Sequence, residues 1–363
     1  MKCVLMHQSI TTHDAIGNDI ANMYKVLGRN HDVCVYGNII LNKNLKSIDR
    51  YRVLELVKNE DNLIIYHHSN YWEEGEELFN LAKARIIVRY HCLTPPSFYH
   101  GWCEDYHFDC KMGSSQTRKF FEKQKEALWL CDSHYNLLDV GIDGFPNAIV
   151  VPPFNNLDQW LNMAPNEGIL KALLENPVIN LLFVGRFTPN KGHEMLLEVV
   201  RDYVAHYDRN IVLHMIGKKD SRLDTYIARI EDLVEGYGLE DNVNWVQEVD
   251  DSVLLSYYLG CDFYVNCSDH EGFCVPVIEA QSLCLPVIAK HACAVPETIG
   301  SEQVVLNEDP AEYSAAIRIL SQEDFFRDHV VKMGLENYQN RFTNEIIERK
   351  FVKAVEDYTG VSL

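Results

Sequence analysis

A turn between a predicted strand and a predicted helix carries the strongest chemical signal in the sequence. Two glutamates, Glu271 and Glu279, stand eight residues apart across it, with Gly272 after the first and Pro276 in the first helical turn. Glycine lets a ligand approach the backbone, and a helix start presents amide groups and a positive dipole end that favour phosphate. The two carboxylates can accept hydrogen bonds from hydroxyl groups. The pattern predicts a site for a diphosphate between two hydroxylated ends.

A second loop between a predicted strand and a predicted helix, residues 185–192, carries two cations. Arg186 can bind an anion through two parallel hydrogen bonds, whereas Lys191 acts as a mobile point charge. Two surface cations at a helix start are the alternative interpretation. The agreement with the glutamate turn favours an anion-binding loop.

These segments resemble the retaining family-4 glycosyltransferases, also called glycosyl transferases group 1, which carry a Glu-x7-Glu motif. The resemblance implies that Glu271 lies beside the donor sugar and that Glu279 binds the ribose hydroxyls of a nucleotide sugar. It implies that Arg186 and Lys191 hold the diphosphate, where they stabilise the charge that develops as the glycosidic bond breaks. The remaining donor-binding residues that it implies are Gly272, Phe273 and Cys274 at sugar and phosphate, and Gly217, Val246 and Gln247 beside the base.

In the first half, His91 follows a predicted strand at the edge where doubly wound folds bind ligands. By residue type, a lone histidine there is more often structural, but the resemblance implies that His91 binds a sugar hydroxyl. His67 and His68 end another strand, and both a site role and a packing role stay open for them. Gly17 joins the first strand to the first helix and predicts a close backbone approach to phosphate or acceptor. Glu297 either helps at the site or caps a helix.

Short apolar runs alternate with amphipathic stretches along the chain, which predicts an α/β fold with parallel sheets buried on both faces. Residues 17–28, for example, have helical periodicity. The predicted strands of the first half are Lys2–Met6, Asp32–Tyr36, Asn62–Tyr66, Ala84–Arg89 and Ala148–Val151. Those of the second half are Val178–Val184, Ile211–Ile216, Val243–Val246, Asp262–Asn266 and Pro286–Ala289.

The alternation breaks between Pro152 and Pro177, a stretch with four prolines. We therefore predict an acceptor-binding domain over residues 1–160 and a donor-binding domain over residues 170–340, each a Rossmann-like doubly wound domain. The final segment, 341–363, is predicted to be a helix that packs back on the first domain. The resemblance implies the GT-B architecture, in which the two domains face a central cleft.

Composition excludes several classes of protein. The net charge of −20 argues against general nucleic-acid binding, and residues 1–150 carry only −3 of it. The sequence contains no run of about 18 apolar residues, so no membrane-spanning helix is predicted. The apolar segment at the start stops at His7, which is too early for the core of a signal peptide. The eleven cysteines are scattered without a Cys-x-x-Cys pair, which is typical of reduced thiols in a cytoplasmic protein.

No metal is expected in the site. The sequence contains no His-Glu-x-x-His spacing and no Asp-x-Asp pair in the motif region, and Asp250–Asp251 and Glu104–Asp105 are interpreted as solvated turns. A basic stretch with aromatic residues, interpreted as one helix, includes Arg118, Phe120 and Trp129. Such a helix can lie on the inner face of a membrane, or it can bury its aromatics in the core.

The sequence therefore predicts a retaining glycosyltransferase that moves a sugar from a UDP- or GDP-sugar to a hydroxyl of a glycan or lipid-linked acceptor, in surface polysaccharide or glycan biosynthesis. No cofactor is expected. The alternatives are a nucleotide-sugar epimerase or phosphorylase and a non-catalytic sugar-nucleotide binding subunit on the same fold. An NAD-dependent dehydrogenase is disfavoured because no Gly-x-Gly-x-x-Gly follows the first strand.

Overall fold

The structure is a computed structural model that describes residues 1–12 and 14–363. His13, within the predicted Gly17 loop, lies outside the described residues. The chain divides into two compact units. Unit 1 comprises Met1–Ser97, Asp105–Asn156 and Thr343–Leu363, and unit 2 comprises Phe98–Glu104 and Leu157–Phe342.

Unit 1 is built on a six-stranded sheet whose paired strands are all parallel. Its spatial order is β3-β1-β5-β6-β7-β8, and a separate pair, β2 and β4, is also parallel. The strands are β1 (Lys2–Met6), β2 (Ser9–Ile10), β3 (Asp32–Tyr36), β4 (Ile39–Ile40), β5 (Leu63–His68), β6 (Arg85–Tyr90), β7 (Leu128–Cys131) and β8 (Ala148–Val150).

Alternate residues of a strand point to opposite sides of the sheet, and here both sides are apolar. Helices therefore cover both faces. In β5, Ile64 and Tyr66 join one apolar cluster, whereas Leu63 and Ile65 join the other. This explains why the strands read as continuous apolar runs in the sequence. The helices of unit 1 are α1 (Ala15–Leu27), α2 (Arg50–Val57), α3 (Glu73–Leu81), α4 (Glu104–Lys123) and α5 (His134–Val140), with a further helix from the end of the chain described below.

Unit 2 repeats the architecture with a second parallel six-stranded sheet, in the order β11-β10-β9-β12-β13-β14. Its strands are β9 (Ile179–Val184), β10 (Ile211–Ile216), β11 (Val243–Val246), β12 (Phe263–Asn266), β13 (Val287–Lys290) and β14 (Val304–Leu306). Its helices are α6 (Leu157–Trp160), α7 (Glu167–Glu175), α8 (His193–His206), α9 (Asp224–Tyr237), α10 (Asp251–Gly260), α11 (Val275–Ser282), α12 (Val295–Ile299), α13 (Pro310–Gln322) and α14 (Asp324–Arg341).

The α/β fold with two Rossmann-like units is confirmed, and the ten predicted strands are present within two residues of the predicted ends. The interpretation of Trp129 as part of the basic helix is wrong. Helix α4 ends at Lys123, and Trp129 is a buried residue of strand β7. The run Leu128–Cys131 is short, so periodicity alone did not separate it from the helix before it. None of the described helices is both long and apolar enough to cross a membrane.

The last helix, α15 (Asn344–Thr359), belongs to unit 1 although it follows unit 2 in the sequence. Ile347, Phe351 and Val355 are fully buried in the cluster that also contains residues of β1 and β5. The Phe351 ring meets Phe154 edge to face, with 5.9 Å between ring centres. The helix thus supplies part of the core on one face of the first sheet.

We expect Phe351→Ala to lower the free energy of unfolding by about 3–5 kcal/mol, because it leaves a cavity in this core. Lys353→Ala is the matched control, since the Lys353 side chain is 77% exposed on the same helix. Urea unfolding followed by circular dichroism measures both. Equal midpoints for the two variants would contradict the packing of α15 on unit 1.

Candidate functional site

The chemistry predicted for unit 2 gathers where its sheet changes direction. The chain moves from β9 outward to β10 and β11, then returns to place β12 on the other side of β9. In doubly wound sheets, ligands bind beside the carboxyl ends of the strands at this switch point. The loop 185–192 follows β9 and the turn 267–274 follows β12, so the topology brings both predicted segments together.

Asn190 joins these two segments. The side-chain amide of Asn190 donates to the backbone carbonyl of His270 at 3.1 Å. The backbone carbonyl of Asn190 accepts from the backbone amide of Asp269 at 2.9 Å. Thr188 orients the Asn190 side chain by donating its hydroxyl to the amide oxygen at 2.9 Å. Asn190 is buried, so these bonds are shielded from water. The loop and the turn therefore hold one fixed relative position.

Lys191 and Glu271 form the central ion pair of the site. The Lys191 ammonium donates to Glu271 Oε1 at 2.7 Å, with side-chain exposures of 18% and 10%. The carbonyl of Glu271 accepts from the amide of Ala294 at 3.2 Å, which fixes the backbone that carries the carboxylate. Two residues that the sequence assigns to different parts of the donor thus form an ion pair with each other.

The turn enters α11 through a constrained residue. Cys274 has φ 74° and ψ 72°. This left-handed conformation is energetically unfavourable for any residue that carries a side chain. The side chain of Cys274 makes no capping hydrogen bond to α11, and Pro276 removes one amide from its first turn. The first amides of a helix lack partners within the helix. The Val277 amide donates to the carbonyl of Cys274 at 3.1 Å, so the donors that α11 can offer an anion are the remaining amides of its first turn. An anion site there stays a prediction.

Phe273 and Glu279 fix the two ends of this segment. Phe273 is buried, its ring meets Phe342 at 5.3 Å, and its carbonyl accepts from the Thr298 hydroxyl at 2.6 Å. Glu279 is partly buried and accepts a hydrogen bond from the Tyr258 hydroxyl at 2.7 Å. Burial raises the pKa of Glu279 to about 7, although the Tyr258 bond opposes the shift.

The other predicted donor residues lie at neighbouring strand ends. Arg186 is exposed, and no ion pair with another described residue engages it. Gly217 follows β10, where a Cβ would lie 1.8 Å from the carbonyl oxygen of Gly185, so the two loops approach as closely as only glycine allows. The amide of Gly217 donates to the carbonyl of Val246 at 3.1 Å, and Gln247 beyond it is exposed.

The remaining residues that the sequence singled out in unit 2 lie at or just before the starts of helices. Gly272 is partly buried within the turn, between Glu271 and Phe273. Glu297 lies in the first turn of α12, and its charge acts on Arg341, whose pKa burial nevertheless lowers. Asp250 caps α10 by accepting from the amide of Val253 at 3.0 Å, so this acidic pair is part of a helix start.

In unit 1, His91 follows β6 and is engaged at both ring nitrogens. Nδ1 lies 3.0 Å from Asp132 Oδ2, and Nε2 lies 2.9 Å from His67 Nδ1. Its side chain is 5% exposed. The structure thus makes His91 part of a buried network, and a sugar hydroxyl that binds a ring nitrogen must displace one of these partners.

A buried guanidinium completes this network. Arg89 Nε donates to Asp19 Oδ2 at 2.8 Å, and Arg89 Nη2 lies 2.8 Å from Asp132 Oδ1. Burial opposes the charge of Arg89, but Asp132 and Asp19 outweigh it and raise the pKa of Arg89. Burial and the nearby His91 lower the pKa of His67 well below its ordinary value. The cluster therefore has one permanent cation facing two carboxylates, with His67 neutral.

The other predicted residues of unit 1 have roles within the fold. A Cβ on Gly17 would lie 2.1 Å from the carbonyl oxygen of Thr11, and its amide already donates to Asp14 Oδ1 at 2.6 Å. His68 contacts the Thr117 hydroxyl at 2.7 Å, and burial lowers its pKa to about 3. These contacts favour the packing role that the sequence left open for His68.

Asp19, His67 and His91 bring three ligand atoms within 4.8 Å of one another, the spacing of a metal site. The donor set does not fit one. Arg89 already donates to Asp19 Oδ2, and the two facing imidazole nitrogens are hydrogen-bonded to each other. A cation at this point would have to displace both bonds and sit beside a guanidinium.

In the basic stretch at the end of α4, the phenylalanines pack inward and the lysines form polar contacts with neighbouring side chains. Phe120 is fully buried, and Phe121 packs against Phe145 with 4.9 Å between ring centres. Lys119 pairs with Glu76 at 2.8 Å, and Lys123 donates to the side chain of Asn80 at 2.7 Å. The aromatic residues of this stretch therefore belong to the core, the second of the two interpretations.

Sequence reasoning missed the residues that hold the site in place. These are Asn190, Tyr258, Asp19, Arg89 and Asp132. Arg89 carried a usable signal, since it is a charged residue inside a strand that is otherwise apolar. Buried charges require partners, so Arg89 predicts nearby carboxylates, although it does not identify them.

Comparison with known proteins supports the sequence resemblance. Residues 171–337 match the sequence model of the family described as glycosyl transferases group 1. A D-inositol 3-phosphate glycosyltransferase of Geodermatophilus obscurus is 29% identical over 205 residues, 54% of this chain and 44% of the relative. An uncharacterized 41.2 kDa protein in the cps region of Klebsiella pneumoniae is 27% identical over 236 residues, 61% of this chain and 57% of the relative. The chain thus spans about half the length of these curated relatives.

Among solved structures, Anabaena Alr3699/HepE in complex with UDP and glucose resembles the whole chain. The TM-score is 0.74 at 15% identity, with 98% of this chain and 100% of that chain covered. At this identity the likeness concerns the fold, which is of the GT-B class predicted from the sequence. The assignment to family 4 and the roles of the two glutamates stay predictions.

The left-handed backbone at Cys274 generates a prediction about stability. A β-branched side chain is poorly accommodated at positive φ, so we expect Cys274→Val to lower the free energy of unfolding by about 1–3 kcal/mol. Cys274→Gly removes the steric penalty and should stay within about 1 kcal/mol of the native chain. Thermal unfolding compares the two. A valine variant that melts together with the glycine variant would contradict the backbone described for residue 274.

The raised pKa of Glu279 links stability to pH. The folded protein keeps the Glu279 proton up to about pH 7, whereas the unfolded chain releases it near the ordinary value of 4.5. The contribution of Glu279 to stability is therefore present below pH 4.5 and is lost as pH rises through 7. Glutamine cannot ionise, so the free energy of unfolding of Glu279→Gln should not fall in this way. We expect it to rise relative to that of the native chain by up to about 3 kcal/mol between pH 4.5 and pH 8.

Urea unfolding at both pH values measures this gain. Glu235→Gln is the control, because Glu235 is exposed on α9 and should show the same difference from the native chain at both pH values. A Glu279→Gln difference that does not change with pH would argue against a protonated Glu279.

Proposed function

We propose that the chain, whose residues 171–337 match the glycosyl transferases group 1 model, transfers a sugar from a nucleoside-diphosphate sugar to a hydroxyl group of an acceptor. The acceptor is a glycan or a lipid-linked sugar, and the reaction serves polysaccharide or glycan biosynthesis. The enzyme retains the anomeric configuration and works without a metal or other cofactor in the cytoplasm. A membrane contact through α4 is not part of the proposal, because Phe120 lies in the core.

One observation carries the proposal: the uncapped start of α11 stands at the switch point of unit 2 with the Lys191–Glu271 pair beside it. An anion at this point would meet helix amides, the positive end of a helix dipole and two cations, Arg186 and Lys191. Glu279 lies one or two helical turns further along. This spacing suits a diphosphate at the amides and the ribose of the same nucleotide at Glu279.

The strand ends of β10 and β11 are the proposed place of the base. Gly217 and Val246 are bonded to each other through their backbones, and Gln247 is exposed beside them. Because contacts of this kind come mainly from the backbone, they suit both uracil and guanine. The HepE structure contains UDP, which favours testing uridine nucleotides first.

In the proposed reaction, the acceptor oxygen forms a bond to the anomeric carbon while the bond from that carbon to the leaving phosphate oxygen breaks. The leaving nucleoside diphosphate accepts the proton of the acceptor hydroxyl, on the same face of the sugar. Arg186 and Lys191 stabilise the negative charge that develops on the diphosphate. Glu271 contacts the donor sugar. A sugar hydroxyl displaces His67 from Nε2 of His91 and binds that nitrogen. Catalysis rests on positioning and charge stabilisation.

The first test is thermal unfolding in the presence of UDP, GDP or ADP, each with Mg²⁺ and with EDTA. We expect one uridine or guanosine nucleotide to stabilise the fold equally with and without Mg²⁺, by about 2.7 kcal/mol at 100 times the dissociation constant. Glu279→Gln should weaken this shift, and Glu235→Gln should not. Absence of a shift with every nucleotide would contradict a donor site in unit 2.

The second test follows turnover of UDP-glucose and GDP-mannose, with hydrolysis to the free sugar measured when no acceptor is supplied. We expect Lys191→Ala to lower kcat about 10²–10³-fold, because it removes a cation from the developing charge. Lys332→Ala is the control, since Lys332 is 72% exposed on α14 and pairs with Glu336 at 3.9 Å. Binding without turnover would favour the non-catalytic alternative, interconversion of donor sugars would favour an epimerase, and an inverted product anomer would exclude the retaining mechanism.

A further inference from the structure

His67 and His91 of unit 1 meet edge to edge. Their ring planes differ by 16°, and the ring centres are 5.2 Å apart, while His67 Nδ1 and His91 Nε2 are 2.9 Å apart. The centre-to-centre distance exceeds the nitrogen distance by about the width of one imidazole ring. Both nitrogens must therefore lie close to the line that joins the ring centres, and the rings are nearly coplanar. This is an in-line hydrogen bond, with one proton shared between two nitrogens.

Asp132 determines which nitrogen of His91 holds a proton. Its Oδ1 faces the Arg89 guanidinium at 2.8 Å, and its Oδ2 faces His91 Nδ1 at 3.0 Å. A carboxylate beside a permanent cation acts as an acceptor, so His91 carries its proton on Nδ1. A neutral His91 then has a bare Nε2, and His67 Nδ1 must be the donor of the bond between the rings.

The strand register explains why this network is rigid. Arg89 and His91 are two residues apart and lie on the same side of the sheet, and His67 of β5 stands opposite Arg89 in the ladder. Arg89 also donates to the carbonyl of Val151 at 2.6 Å. Asp19 accepts from the amide of Phe154 at 2.8 Å, so the guanidinium is fixed on both sides. Asp132 is thus held in one orientation toward His91.

We propose that Asp132 is a positioning residue that acts through His91: it fixes the ring plane of His91 and the tautomer with the proton on Nδ1. The network ends at His67 Nε2, which is buried and has no hydrogen-bond partner in the described part of the chain. The effect of Asp132 on turnover rests on the proposed function, in which His91 lies beside the donor sugar. The effect of Asp132 on the His91 tautomer does not depend on that function.

Nitrogen NMR of protein labelled with ¹⁵N-histidine tests the tautomer in the unmodified chain. His91 and His67 are assigned by the signals lost in His91→Asn and His67→Asn. We expect a protonated Nδ1 and an unprotonated Nε2 on His91. The opposite tautomer, or a rapidly averaged one, in the unmodified protein would overturn the proposal, whatever the variants do.

Asp132→Asn sharpens the test, because it changes one atom. The amide oxygen should face Arg89, which leaves the amide N–H toward His91 Nδ1 and forces the His91 proton onto Nε2. We expect the two ¹⁵N signals of His91 to exchange character. Asp139→Asn is the matched control, since Asp139 accepts from the Tyr90 hydroxyl at 2.7 Å and lies outside the network. An unchanged His91 tautomer in a folded Asp132→Asn variant would overturn the proposal.

Turnover distinguishes positioning from a general structural role. With whichever of UDP-glucose and GDP-mannose is hydrolysed, we expect Asp132→Asn to lower kcat about 10–100-fold while the dissociation constant of the nucleotide stays unchanged. In a His91→Ala background, Asp132→Asn should cause no further loss, because it acts through the missing ring. A further loss of the same size would overturn action through His91. Absence of nucleotide binding by the unmodified protein would instead count against the proposed function.

Discussion

The arrangement of the two loops in unit 2 depends on Asn190. Two loops from different strands, each polar and each at the open edge of a sheet, would otherwise be free to separate. Asn190 satisfies backbone groups of the second loop from within the first, and burial makes each unmade bond costly. Lys191 is the next residue in the chain, so this attachment places its ammonium group beside Glu271. The ion pair is a consequence of this attachment, which brings the two largely buried side chains together.

The two units solve the same structural problem with different chemistry. At the carboxyl edge of each sheet, strand ends leave polar groups that need partners. Unit 2 uses backbone hydrogen bonds to Asn190 and a partly exposed ion pair, which leaves a helix start open toward a ligand. Unit 1 uses a buried guanidinium between Asp19 and Asp132, which fills its edge with charge that is already neutralised. The first arrangement suits binding of an anion, and the second suits rigidity.

The sequence predicts the elements of this fold well because both sheets are parallel and buried on both faces. Such strands are continuous apolar runs, and their order follows from alternation with helices. It also points to Lys191 and Glu271 in loops and to Glu279 in the helix that follows, and the roles of these residues stay predictions. It does not predict partners distant in the chain. Asp132 lies 41 residues from His91 and looks like an ordinary acidic residue after a strand.

The topology of unit 1 also bears on how the protein is made. A nascent chain that has emerged from the ribosome as far as Phe342 contains every segment of unit 2. Its first 156 residues, synthesised earlier, still lack α15, and the apolar surface that receives Ile347, Phe351 and Val355 is uncovered. Unit 1 therefore begins first and is completed last, so that throughout the translation of unit 2 this surface is accessible to chaperones and to other nascent chains.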